Sequence, residues 1–173
     1  MKNPKDIVIT GIGTITPIGL NKDGFWKNLI AGVSGADHIK AFDAEGFGST
    51  IACEVKGFIA GDFIDSRSAR KMARFSQLAV CASVEAVEDS GLNLSGMDPI
   101  RIGCIMGSGA GDFENLGKEY TTLAERGPGK GNPLAVPKII PNMAAGNVAI
   151  ELGIHGPNMA ALSACSSGLH SIG

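Results

Sequence analysis

The stretch Asn158-Met-Ala-Ala-Leu-Ser-Ala-Cys165-Ser-Ser-Gly168-Leu-His170-Ser-Ile-Gly173 decides the fold. From Asn158 to Ala164 it is short, apolar and free of internal Gly or Pro, the pattern of a buried strand. Ser166 and Ser167 then offer hydroxyl caps for a following helix. Cys165 is therefore expected at a strand-to-helix turn. A thiol there faces unpaired backbone N–H groups and the positive end of the helix dipole, both of which favour thiolate. The same N–H groups would hold the oxyanion formed when the sulfur attacks a carbonyl. Ala164, Ser166, Ser167 and Gly168 are small enough to let a substrate carbonyl approach the backbone. The competing reading is a cysteine that merely fills a core, since free Cys is among the most buried residue types.

The bulk properties narrow the function classes. The 173 residues fit one domain, and 44% hydrophobic with 18% charged residues is ordinary for a soluble globular chain. A formal net charge of -2, from 15 basic and 17 acidic residues, leaves no basic footprint for nucleic acid and no polybasic membrane signal. The N-terminus does not read as a signal peptide or anchor, and no stretch reaches transmembrane length. Cys53, Cys81, Cys104 and Cys165 are scattered and form no Cys-x-x-Cys pair, which argues against a zinc knuckle or a secreted disulfide framework and fits a reducing cytoplasm. The 25 glycines are about twice the usual share of roughly 7%. Such a chain is expected to pack backbones closely.

Upstream of the cysteine, Asp6 to Thr10 reads as a β-branched strand that leaves through the loop Gly11-Ile-Gly13-Thr-Ile-Thr16-Pro17-Ile-Gly19. The glycines invite a dinucleotide reading, but Thr16 stands where the third glycine of the fingerprint belongs and Pro17 follows it. Asp23 to Ile30 predicts a short amphipathic helix stopped by Gly32, and 36–67 a surface excursion with a strand at Thr50 to Val55. Ser68 to Ser90 gives the strongest helical signal, with Met72, Phe75, Ala79, Ala82 and Ala86 spaced at three and four and Gly91 as the stop. Arg67, Arg70, Lys71 and Arg74 crowd its first turns, where they oppose the dipole. They read either as a solvated face or as an attractor for an acidic partner. From Arg101 an apolar strand runs into Gly107-Ser-Gly109-Ala-Gly111-Asp112 before a helix through Glu125, and Gly127 to Pro133 is a flexible loop. A last helix starts near Pro141 and stops at Gly153; Gly146 inside it predicts another backbone packed against that face.

Histidine is the usual partner of a thiol nucleophile. His170, five residues past Cys165 on the same expected helix, is rotated by about 140° from it and is rejected as the base. His155 sits in a turn and His38 in a loop, with nothing to recommend either.

Several blocks, in register along the chain, resemble the β-ketoacyl-acyl-carrier-protein synthases, condensing enzymes of fatty acid synthesis. Gly156-Pro157 through Ser163-Ala164-Cys165-Ser166-Ser167-Gly168 is similar to their active-site cysteine segment. The Thr10-Gly11-Ile-Gly13 turn, Pro17-Ile-Gly19, the helix bearing Trp26 and Ser34-Gly35 follow the family's order, as does Val136-Pro137 leading to Asn142-Met143-Ala-Ala-Gly146. The resemblance implies an α/β fold, the thiolase-like layered αβαβα arrangement of mixed sheets and helices. Residues 1–173 would then be the first half of that fold, incomplete, with the C-terminal half absent. The family's two catalytic histidines and supporting lysine come from a His-Gly-Thr block and an Asn-x-Phe-Gly-Phe block, neither of which occurs here.

The resemblance further implies that Cys165 takes an acyl group as a thioester and that malonyl carrier loses carbon dioxide to attack it, with the fragment alone inactive. Gly107, Gly109, Ala110, Leu134 and Ala135 would belong to the substrate site, the small Ala110 admitting a longer or bulkier acyl chain. Implied partners are acyl carrier protein bearing acyl and malonyl groups, and a second copy of the chain, a homodimer paired through the strand Asn158 to Ser163. No cofactor, metal, nucleic acid or membrane is implied, and the location is cytoplasmic. The alternatives are a polyketide-type ketosynthase and a non-catalytic chain-length partner subunit, the last opposed by Cys165.

Overall fold

The computed structural model describes residues 7–173. In chain order the elements are α1 (Lys22–Ile30), β1 (Asp37–His38), β2 (Ile51–Ala52), α2 (Ser66–Ala69), α3 (Arg74–Ser90), β3 (Cys104–Gly107), α4 (Phe113–Arg126), α5 (Ala135–Ile139), α6 (Met143–Leu152), β4 (Asn158–Ala161) and α7 (Ser167–His170), with single 3-10 turns between some of them. They group into two compact units. One runs to Phe58 and takes in Ala82–Leu92; the other comprises Ile59–Cys81 and Asn93–Gly173.

In the first unit, α1 begins where the Asn21 side-chain oxygen accepts the Gly24 N–H at 2.7 Å. The helix forms as expected, but its stripe is uncovered, with Trp26 61% and Ile30 67% exposed. The glycine-rich loop before it lies on the later part of α3. A Cβ on Gly13 would come 1.9 Å from the Ala82 carbonyl oxygen, and one on Gly11 would come 2.1 Å from that of Ala86, so only glycine allows this approach. The loop's amide donors are spent on carboxylates. Asp89 accepts the Ile12 N–H, Glu85 accepts those of Thr14 and Lys22, and the Lys22 ammonium pairs with Asp89. Donors that a phosphate cradle would need are thus already engaged, in keeping with the missing third glycine.

Two strand expectations need correcting here. Asp6 lies outside the described residues, and Ile7 to Thr10 join no ladder among them, Ile7 being 101% and Ile9 84% exposed. A β-branched run favours extended backbone, but without a neighbouring edge it makes no sheet. Thr50 to Val55 shrinks to β2, which pairs antiparallel with β1 through Asp37↔Ala52 and His38↔Ile51.

The second unit holds most of the buried side chains: Met72, Ala73, Val80, Cys81, Cys104, Ala144, Ala145, Val148 and Ile154. Buried Ala60 and Ile64 show that the segment read as a surface excursion also feeds this core. The single helix expected from Ser68 to Ser90 is broken after Ala69. Asp65 caps α2 by accepting the Ser68 N–H at 2.8 Å, and the Gln77 side-chain amide donates to the carbonyls of Ala69 at 2.8 Å and Met72 at 3.4 Å. Those bonds satisfy carbonyls that a continuous helix would have used, so the chain turns without orphaning them. The cations are redistributed accordingly: Arg67 lies in α2, Arg70 caps it, Lys71 is in the turn, and only Arg74 opens α3.

Ser76 on α3 is fully enclosed, and its hydroxyl finds no hydrogen-bond partner among the described residues. A buried orphan hydroxyl costs about 1–3 kcal/mol, and alanine is the better helix former. Ser76→Ala is expected to raise stability by about 1–2 kcal/mol, read as a higher denaturant midpoint at unchanged slope. A lowered midpoint would mean that the hydroxyl has a partner after all.

β3 and β4 pair in parallel, from Cys104↔Asn158 to Gly107↔Ala161, with α4, α5 and α6 as the crossover that parallel strands require. Packed on both strands, α6 presents buried Ala144, Ala145 and Val148, and the Asn158 side-chain amide donates to the Ala145 carbonyl at 2.8 Å. Gly153 ends the helix in the left-handed region at φ 64°. Gly146 does not do what was expected of it: a Cβ there would meet only the Met143 thioether, at 3.5 Å, and no other backbone within 4 Å. Nor is β4 a buried strand. It stops at Ala161, with Met159 53% and Leu162 54% exposed.

Candidate active-site turn

Beyond β4 the chain passes Leu162 and Ser163, makes one 3-10 turn over Ala164–Ser166, and enters α7. Cys165 is in that turn and exposed. The helix starts two residues later than Cys165 and is four residues long, so the backbone dipole ahead of the thiol is that of a short turn rather than of a long helix. Ala164 has φ 50°, the left-handed region that non-glycine residues rarely occupy, at a cost of about 1–2 kcal/mol.

The serine hydroxyls do not cap α7; Ser166 stands at the N-cap position without a side-chain cap bond. They reach backward instead. Ser166 donates to the Ser163 carbonyl at 2.7 Å. Ser167, only 3% exposed, accepts the Ser163 N–H at 2.9 Å and has two carbonyl acceptors for its own proton, Ala164 at 2.7 Å and Ser108 at 3.1 Å. His170 is hydrogen-bonded through Nδ1 to the Ser163 hydroxyl at 2.6 Å, which gives that ring nitrogen a partner other than the thiol.

The end of β3 meets this turn directly. Ser108 N–H donates to the Ala161 carbonyl at 3.1 Å, and a Cβ on Gly107 would lie 2.4 Å from the Ser167 carbonyl oxygen. Gly107 is thus brought against the Cys165 turn, whereas Gly109 and Ala110 stand exposed in the loop beyond it. That loop turns at Asp112, whose N–H donates to the Ile139 carbonyl at the end of α5; Leu134 and Ala135 open the same helix. The sequence pattern marked Ser166 and Ser167 as hydroxyl caps of the following helix and gave no signal for the buried side of Ser167 or for the left-handed Ala164.

Accessibility sorts the thiols. Cys53 and Cys165 are exposed, Cys81 and Cys104 buried. Burial pushes the Cys81 thiol up to about 11, helped by the negative charge of Glu151, and burial also raises that of Cys104. Arg67, Arg70, Lys71 and Arg74 are all exposed, and the first three form no ion pair with the described residues. In the first unit, a cleft of about 480 Å³ is bordered by Ile12, Thr14, Phe25 and Trp26 together with Lys22, Asp23 and Asp89, and no cysteine lines it.

Residues 4–173 match the family model described as Beta-ketoacyl synthase, N-terminal domain. The chain belongs to the β-ketoacyl synthase family. It is 42% identical over 167 residues to 3-oxoacyl-[acyl-carrier-protein] synthase 2 of Vibrio cholerae, an alignment covering 96% of this chain and 40% of that protein. The protein of the same description from Staphylococcus aureus is 42% identical over 173 residues, covering 100% of this chain and 42% of its own length. Among solved structures, the ishigamide ketosynthase/chain length factor superposes with a TM-score of 0.78 at 31% identity, over 95% of this β-ketoacyl synthase chain and 43% of the other. The fold is thus the thiolase-like α/β fold, and the chain spans about two fifths of the length of the curated relatives it matches.

Proposed function

We propose that the enzyme containing this domain is a β-ketoacyl-acyl-carrier-protein synthase of the elongating type and that Cys165 is its nucleophile. The observation that carries the reading is the exposed thiol at the apex of the tight turn after β4, in a chain matched along its length by 3-oxoacyl-[acyl-carrier-protein] synthases. The Cys165 thiolate attacks the carbonyl carbon of an acyl thioester on carrier protein. The new carbon–sulfur bond forms as the old one breaks, and the carrier thiolate leaves and takes up a proton. Malonyl carrier then loses carbon dioxide, its carbanion bonds to the acyl carbon, and the Cys165 sulfur departs with the electron pair. Gly107, Gly109, Ala110, Leu134 and Ala135 are proposed to line the acyl site, supported by the closeness of the β3 end to the cysteine turn. The histidines that assist decarboxylation are proposed to come from sequence outside residues 1–173, so this chain by itself is expected to give no ketoacyl product.

The test is to incubate the intact enzyme with acyl carrier alone and map the modified peptide by mass spectrometry. A thioester on Cys165, discharged as ketoacyl product and carbon dioxide when malonyl carrier is added, is the expected result. Acylation elsewhere, or none, would overturn the reading. A polyketide-type ketosynthase is the second reading, favoured by the likeness to the ishigamide ketosynthase/chain length factor. Products carrying several unreduced keto groups would favour it.

Acyl carrier protein is the proposed macromolecular partner. Exposed Arg67, Arg70 and Lys71 form no ion pair with the described residues and would attract an acidic carrier. Reversing two of them, Arg67→Glu with Lys71→Glu, is expected to raise KM for acyl carrier about tenfold or more at low salt, with kcat little changed. An unchanged KM would mark the cluster as a solvated face. A homodimer paired through 158–163 is also proposed, because the exposed β4 edge would otherwise invite non-specific pairing. A monomer in sedimentation at micromolar concentration would rule it out. The proposed location is the cytoplasm; no helix among the described residues is long and apolar enough to cross a membrane.

A further inference from the structure

Next to the exposed thiol of Cys165 lies an enclosed hydroxyl. Ser167 is 3% exposed, and every bond of its hydroxyl ends on the backbone just before the thiol or on the residue that follows β3. It accepts the N–H of Ser163, two residues before Cys165, at 2.9 Å. Its single proton goes to one acceptor at a time, either Ala164, the residue before Cys165, at 2.7 Å, or Ser108 at 3.1 Å. Ser76, the other enclosed serine, finds no such partners, so burial alone does not account for this pattern.

What those bonds hold is unfavourable by itself. Ala164 at φ 50° is a strained residue, and such strain persists only where the surroundings over-determine it. Hydrogen bonds on both sides of Ala164 from one buried group are of the size needed to offset a single left-handed residue. Without them the turn can relax toward ordinary φ, which would redirect the bond from Cα to Cβ at the next residue, Cys165.

We propose that Ser167 is a positioning residue for Cys165: its buried hydroxyl, set between the Ser163 N–H and the carbonyls of Ala164 and Ser108, holds the turn at the left-handed Ala164 and fixes the direction in which the thiol leaves the backbone. The catalytic consequence rests on Cys165 being the nucleophile; the geometric one does not.

The experiment uses the intact enzyme as wild type, Ser167→Ala and Ser167→Thr. The rate of iodoacetamide alkylation is read separately at Cys165 and Cys53 by mass spectrometry, alongside kcat and KM for acyl carrier. Ser167→Ala is expected to slow Cys165 alkylation and to lower kcat by about tenfold or more, leaving KM and the Cys53 rate within about twofold. Ser167→Thr, which keeps the hydroxyl, is expected to recover both to within about threefold of wild type. An alanine variant with wild-type alkylation and kcat, or a threonine variant as impaired as alanine, would overturn the proposal. Should the alanine variant not fold, hydrogen exchange in the wild type decides. The Ser163 amide is expected to exchange at least about tenfold slower than its unstructured rate, and an unprotected amide would overturn the proposal. If wild-type Cys165 proves not to be acylated by carrier, the functional reading falls while the alkylation comparison still decides the role of Ser167.

Discussion

With Cys165 changed to alanine, the intact enzyme is expected to form no acyl thioester and to lose condensation by on the order of 10⁴- to 10⁶-fold in kcat, the range seen when a nucleophile is removed from a concerted site. Cys81 and Cys104 are buried, and burial holds their thiols protonated near neutral pH, Cys81 up to about 11. Cys53 is exposed but belongs to the other compact unit. Serine at 165 is expected to rescue little, because a hydroxyl needs a base to activate it and the histidine of the same turn has its Nδ1 bonded to Ser163. Single-turnover acylation followed by intact mass, with kcat measured in parallel, reads both effects. A Cys165→Ala enzyme with kcat within tenfold of wild type would remove the chemistry assigned to this residue.

How far the sequence foretold this turn depends on which contacts made it. The change from apolar to small polar residues between Asn158 and Gly168 located the strand and the turn that follows it, though the strand stops at Ala161 and not at Ala164, because local pattern reports local backbone preference. The buried side of Ser167 depends on Ser108, fifty-nine residues earlier, and no local pattern carries that. The same division runs through the fold. Periodicity found α3 but not the break before it, since the break is stabilised by one Gln77 side chain reaching back to Ala69 and Met72. Missing spacing argued against nucleotide binding at Gly11 and Gly13, yet the reason for those glycines is the close approach of Ala82 and Ala86 far along the chain. Apolar runs at Ile7 to Ile9 and at Met159 reported a preference for burial; within the described residues they stay more than half exposed. Gly146 is the opposite failure, a glycine whose expected backbone neighbour is absent from the described residues, and for which the structure offers no packing reason.

Gly107 and Gly109 separate what the sequence treated alike. Gly107→Ala is expected to destabilise the domain by about 2–4 kcal/mol, in the range of severe overpacking, and Gly109→Ala by no more than about 0.5 kcal/mol, as for a surface change. At Gly107 a Cβ would stand 2.4 Å from the Ser167 oxygen, 2.5 Å from its carbonyl carbon and 2.7 Å from the Gly168 nitrogen, all backbone atoms that no rotamer change can move aside. At Gly109 a Cβ would meet nothing within 4 Å. The strand cannot retreat cheaply either, because β3 is paired with β4 as far as Gly107↔Ala161 and Ser108 N–H continues the ladder to the Ala161 carbonyl. Relief must come from the turn, by displacing Ser167 and with it the bonds to Ser163 and Ala164, the two residues before Cys165. Loss of stability and loss of Cys165 reactivity are therefore expected together in Gly107→Ala, and neither in Gly109→Ala. Denaturant midpoints give the first and site-resolved iodoacetamide rates the second. Equal midpoints for the two variants would show that β3 and the cysteine turn are not in backbone contact, and the positional account of Cys165 would have to be abandoned.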